Sequence, residues 1–198
     1  MSVGRGGALL ALLLTGACAT QLGDVFVLDA GVSCSMVLTP DPLCSVPVDL
    51  GVLGNAPTGD VVRTDDGTTI ATLPICQTAH RLSLQLYPGH GVFAQGIRAG
   101  DYPLAGAELA MDTCGACVRL LADTDAHGTP TRTYMATGGT LHLLAVGAPG
   151  GAELVASLEN LTLHEVAIDP LTFATTSTGV CVTRITTIDV KAPVIPPR

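Results

Sequence analysis

The chain contains no tryptophan, and phenylalanine and tyrosine together make up only 3% of its 198 residues. Exposed aromatic rings are the usual platform for stacking sugars or nucleobases, so their scarcity counts against that class of surface. Basic residues are short as well: nine Lys and Arg stand against 17 Asp and Glu, a formal charge of −8. Neutralising phosphates needs a basic face, which argues against nucleic acid as a partner. Charged residues of both signs reach only 13%, while apolar residues reach 47% and the mean hydropathy is +0.49. Such a chain is too apolar to remain disordered. It has no G-x-S-x-G nucleophile elbow, and no run of 18 apolar residues from which to build a transmembrane helix.

What is present begins with an address. Residues 1–19 read MSVGRGGALLALLLTGACA: one cation at Arg5, an apolar stretch from Ala8 to Leu14, then small residues. That stretch is too short for a bilayer core of about 30 Å and fits a secretory signal. Leu14-Thr15-Gly16-Ala17-Cys18 resembles a bacterial lipobox, which implies a signal peptide over residues 1–17 and a diacylated (palmitate-bearing) Cys18. Cleavage after Ala19 at the A-x-A pattern is the alternative, and would release a secreted or periplasmic protein. Setting Cys18 aside leaves Cys34, Cys44, Cys76, Cys114, Cys117 and Cys181, an even set suited to disulfides in an exported protein.

Residues 18–79 read as a tether and irregular region, broken by Pro40, Pro42, Pro47, Pro57 and Pro74. Short strands are expected at Gly23–Leu28 and Gly67–Leu73. From Arg81 the texture changes. Leu82, Leu84 and Leu86 alternate with polar residues, the signature of a half-buried strand. Further strands are expected at Cys117–Asp123, Thr131–Thr137, Gly139–Val146, Ala152–Leu158, Leu161–Ile168 and Gly179–Thr187, with Gly and Pro between them. The best helix candidate, Ala105–Met111, is brief. The expected fold is all-β, an antiparallel β-sandwich of jelly-roll type stapled by disulfides over residues 80–190, followed by a Pro-rich tail at 191–198.

Asp112-Thr113-Cys114-Gly115-Ala116-Cys117, then Thr133-Tyr134-Met135-Ala136-Thr137-Gly138-Gly139-Thr140, then Leu158-Glu159-Asn160-Leu161-Thr162-Leu163 form an ordered series. With Gly100-Asp101-Tyr102 before it and Ile168-Asp169-Pro170-Leu171-Thr172-Phe173 after it, the series resembles a set of exported β-rich lipoproteins of myxobacteria. The match covers about residues 80–187. It implies a β-rich extracytoplasmic domain and brings no catalytic residues with it.

The residues that could carry chemistry are few. Cys114-x-x-Cys117 leads into an expected strand, whereas a redox CxxC needs a helix N-terminus to lower its thiol pKa. No second pair at zinc spacing accompanies it. Structural disulfides are therefore expected: Cys34–Cys44, with Cys76, Cys114, Cys117 and Cys181 pairing by any of three connectivities, Cys114–Cys117 with Cys76–Cys181 being favoured. Asp123-Thr124-Asp125-Ala126-His127-Gly128 echoes the start of a calcium loop. His127 stands at its third ligand position, however, and Tyr134 where a bidentate Glu belongs. Asp123 and Asp125 are the metal-ligand candidates, with calcium as the cofactor, and Asp65-Asp66-Gly67 invites the same idea; a turn is the plainer account of both. His142 and His164 fall in neighbouring expected strands as solvent-facing residues. The expected function is a non-catalytic, membrane-anchored lipoprotein of the bacterial outer membrane with a structural or binding role, partnered by an envelope protein or polysaccharide. The alternatives are a calcium-dependent adhesion module and a hydrolase with dispersed carboxylates.

Overall fold

A computed structural model describes residues 26–27, 33–34, 41, 43–55, 60–75, 78–148 and 152–195. The signal-like segment and Cys18 lie outside the described residues, as do Gly23–Asp24 and Cys76. Regular structure is almost entirely strand. In chain order these are β1 (Phe26–Val27), β2 (Ser33–Cys34), β3 (Val52–Asn55), β4 (Asp60–Arg63), β5 (Thr69–Pro74), β6 (Arg81–Leu86), β7 (Gly100–Pro103), β8 (Ala116–Ala122), β9 (Arg132–Ala145), β10 (Glu153–Ile168) and β11 (Thr175–Ile195). Single 3₁₀ turns occupy Gly91–Phe93 and Gly106–Leu109, the second within the expected helix. No helix among the described residues is long and apolar enough to cross a membrane.

The all-β expectation is met, but nine strands form one hydrogen-bonded sheet in place of two. Its path runs β10-β11-β4-β5-β6-β8-β9, and β9 pairs again with β10, so the pairing closes on itself. Strand β7 adds to the free half of β9, and β3 to β11. Nor is the sheet purely antiparallel, because β11 takes β3 and β4 as parallel partners. Two expected boundaries move accordingly. Strands β3–β5 place much of the supposed tether inside the sheet, and β11 carries the supposed tail as far as Ile195, with Val194 opposite Val61.

Three strands are unusually long, and each changes phase once. The inward residues are Ala136 and then Leu141 on β9, Leu158 and then Leu161 on β10, Ile185 and then Ile188 on β11. Each step breaks the period of two at which side chains alternate across a sheet. The breaks align: Gly139, Asn160 and Thr186 lie between paired positions on adjacent strands, and β9–β10 shifts register there. Gly139 (φ 128°) and Asn160 (φ 52°) both have left-handed backbones. A Cβ on Gly139 would sit 2.9 Å from the Glu159 carbonyl oxygen, so the crossing of the two strands requires glycine. Irregularities of this kind bend strands sharply. They let strands of 14, 16 and 21 residues turn with the closing sheet.

The interior is filled with small and branched side chains. Leu82, Leu84 and Leu86 of β6 meet Val118 and Leu120 of β8, Leu141 and Leu143 of β9, and Leu158, Leu161 and Leu163 of β10. Among the described residues three rings join them. Tyr134 is buried with its hydroxyl donating to the Cys44 carbonyl, and Phe93 packs edge-on to Tyr102 at 4.8 Å between centroids. Cys44 is bonded to Cys181, which departs from both the Cys34–Cys44 and the Cys76–Cys181 pairings expected from the sequence. The reason is topological. Residues 48–55 run parallel to β11, with Leu50 donating to Arg184 and Arg184 to Val48, so this stretch is held along the last strand. Cys181 is in phase with the inward Thr183 and Ile185, which places it on the core side where Cys44 lies.

Candidate functional site

Outside the main core, β6 is buried on its second face too: Ser83 and Gln85 are covered as well as the leucines. The cover is a satellite cluster of Cys114, Cys117, Met135 and Val166, flanked by Tyr87, Met111 and Ile168. Cys114 and Cys117 are bonded to each other, as expected. Cys114 is one wall of a cavity of about 240 Å³ lined by Tyr87, His90, Met111, Asp112, Cys114 and Phe173. None of these except Cys114 stood out in the sequence as a site residue.

Each wall is fixed from a different part of the chain. Tyr87 continues β6, and its hydroxyl donates to Gln85 Oε1 at 2.8 Å. Its ring meets His90 edge-on at 6.3 Å, and burial raises its pKa. The loops bearing His90 and Cys114 are clasped by Glu108, which is 1% exposed. Its Oε1 accepts from the Val92 amide at 2.8 Å and its Oε2 from the Ala116 amide at 2.5 Å. Gly91 and Gly115 exist for this clasp. A Cβ on Gly91 would fall on Glu108, and one on Gly115 would lie 2.2 Å from the His90 carbonyl oxygen. The remaining wall is the β10–β11 connection, tied down where the Met111 amide donates to Thr175 Oγ1 at 2.8 Å. Within it, Asp169 Oδ1 accepts from the amides of Leu171 and Thr172, and the Asp169 carbonyl accepts from Phe173. That turn holds Phe173 at φ 57°, a costly conformation for a bulky residue, and leaves the residue 52% exposed.

Beside this cluster, Arg119 of β8 lies between Ser83 and Met135. Its Nε is buried without a hydrogen-bond partner, and burial pushes its pKa below the ordinary arginine value. It does not line the cavity.

The calcium candidates do not converge. Asp125 Oδ1 accepts from the amides of His127 (2.8 Å) and Thr129 (2.9 Å), shaping the β8–β9 turn. Asp123 (φ 50°) lies beside His80, whose Nδ1 accepts from the Asp123 amide at 3.1 Å. Burial holds His80 below its ordinary value, with the Asp123 carboxylate opposing. Asp66, in the other Asp-Gly turn, accepts from the Thr64 hydroxyl and the Thr68 amide, which lowers its pKa. Among the described residues no three His, Cys, Asp or Glu side chains gather as a metal group would.

The two strand histidines do not meet. His142 stands opposite Ser157, while His164 stands opposite Met135. His142 instead joins Asp101 at 2.7 Å through Nδ1 and approaches Glu159 at 3.5 Å through Nε2. The hydrogen bond to Asp101 raises its pKa, and the Glu159 charge adds to the effect. Glu165 is held by Arg132 at 3.2 Å. No protein-family model, curated protein or solved structure matches the chain.

Proposed function

We propose that this protein is a non-catalytic, membrane-anchored lipoprotein of the bacterial outer membrane, tethered through Cys18 and serving a binding role at the envelope. The observation that carries the reading is the Cys44–Cys181 bridge, which joins the first core residues to the last strand across 137 positions. Cross-links of this kind persist in oxidising compartments and are rare in the cytosol. The lipobox-like Leu14–Cys18 supplies the route to that compartment and the means of staying there. A cavity braced by a second disulfide and a buried carboxylate supports binding over a purely structural role, since a site held rigid before its ligand arrives loses less entropy on binding.

Intact-mass analysis of the protein purified from native membranes tests the reading. A diacyl or triacyl mass on Cys18, lost in Cys18→Ser together with membrane association, is the expected result. An unmodified N-terminus at Thr20 would refute the anchor.

A further inference from the structure

We propose that the cleft beside the Cys114–Cys117 bridge binds a compact cation that carries its own apolar surface, of the quaternary or methylated ammonium class. The proposal rests on the binding role inferred above and gives it a chemistry.

The first argument is how the chain spends its few rings. Of the six Phe and Tyr, Phe93 and Tyr134 are buried in the core, and Tyr102 packs on Phe93. Phe26 has no described side chain. The remaining two, Tyr87 and Phe173, both line this one cleft, beside His90 and the polarisable Met111. Aromatic faces attract cations through their quadrupole, and several such groups around one space form the cage that recognises alkylated ammonium ions. A chain with no rings to spare has placed two here.

Phe173 supplies the second argument. Its left-handed backbone is unfavourable for a large side chain, yet the half-exposed residue gains little burial in return. Strain of this sort collects where a side chain must be aimed. The Asp169 turn aims this one at the cleft.

Charge and size complete the case. Among the described residues Asp112 is the one carboxylate in the lining and no Lys or Arg is present there, and the whole chain carries −8. Arg119 is outside the lining, though its charge reaches the Tyr87 hydroxyl, and Asp112 is the opposite charge that the cleft itself offers to a cation. At about 240 Å³ the space lies below the range of roughly 300–1,000 Å³ typical of drug-sized ligands. It suits a headgroup or an alkylated amine.

The test is titration of the folded protein with choline and with its neutral carbon isostere, in which tert-butyl replaces trimethylammonium. Binding is read from the aromatic proton resonances. Choline is expected to bind roughly 2- to 30-fold more tightly than the isostere, the span of a cation–π contribution. Asp112→Asn is expected to weaken choline and leave the isostere unchanged, and Phe173→Ala to weaken both. Both residues are exposed, so unchanged thermal midpoints will show that the variants fold. Equal or tighter binding of the isostere, or saturation by neither compound, overturns the proposal. Choline binding that survives Phe173→Ala overturns it as well. Lipid on Cys18 is measured separately. A lipidated protein that ignores choline refutes only this inference, and an unlipidated one that binds it refutes only the anchor.

Discussion

The two disulfides differ in one respect that allows their energetics to be compared. Cys44–Cys181 spans 137 positions and Cys114–Cys117 spans three, while all four cysteines are buried and both Cα–Cα distances are 5.4 Å. Replacing either pair by two alanines removes similar buried atoms, so the lost packing nearly cancels when the variants are compared. What does not cancel is the freedom restored to the unfolded chain. Loop closure scales with the logarithm of loop length, and 1.5RT ln(137/3) comes to about 3 kcal/mol. The short loop lies within the long one and barely alters its effective length. Cys44→Ala/Cys181→Ala should therefore be less stable than Cys114→Ala/Cys117→Ala by about 3 kcal/mol. For a domain of this size that corresponds to roughly 6–12 °C in thermal midpoint. Urea unfolding of both variants and the parent measures it directly. Equal losses, or a larger loss in the short-loop variant, would refute the entropic account and assign the bridges' value to the folded state.

Three further outcomes follow from the geometry. Glu108→Ala leaves the part-buried amide of Val92 and the buried amide of Ala116 without their acceptor and should cost about 2–4 kcal/mol, with Glu108→Gln intermediate, by urea denaturation. The histidines should oppose each other in the pH dependence of stability. His142, whose pKa is raised, contributes stability that is present below about 6.5 and lost as pH climbs through its folded value, whereas His80, whose pKa is lowered, loses stability as pH falls below about 6.5. His142→Gln should therefore flatten the alkaline side of a stability–pH profile and His80→Gln the acid side; the reverse assignment would contradict the two environments. Asp125→Ala should cost about 1 kcal/mol through its two turn amides, equally with calcium or chelator, and a calcium-dependent rise in midpoint that this variant abolishes would restore the loop as a metal site.

Strand content was legible wherever alternation was strict, as at Leu82, Leu84 and Leu86, because period-two burial is written directly in the residue order. Long strands were harder for a definable reason. Gly138-Gly139 reads as the turn between two strands, and Leu158-Glu159-Asn160-Leu161 as a break, since each shifts the apolar phase by one. In the folded chain those shifts lie within β9 and β10. A phase change marks either a loop or a bulge, and only the neighbouring strand decides which. Strands β3 and β4 were hidden differently: four residues each, flanked by Gly and Pro, they are too short to display a period. Cysteine parity announced disulfides without naming partners, because pairing depends on the parallel run of residues 48–55 beside β11. The cleft was invisible for the same reason. Tyr87, Met111 and Phe173 lie far apart in the chain, and nothing in their local sequence indicates that three loops share one end of the sheet.

Strand β11 closes the ring, and this bears on how the protein comes into being. It is the last strand of the sheet in chain order, yet it supplies the partner for β3, β4 and β10 and one half of the long cross-link. A chain emerging N-terminus first must present β3, β4 and β5 long before residues 184–195 exist to pair with the first two. Until then three edges stand open, apolar and uncovered. Folding dominated by such distant pairings is slow, on the order of milliseconds to seconds in domains of high contact order. The sheet can therefore close only after β11 has been made, and the bridge from Cys44 cannot form before Cys181 has been added to the chain.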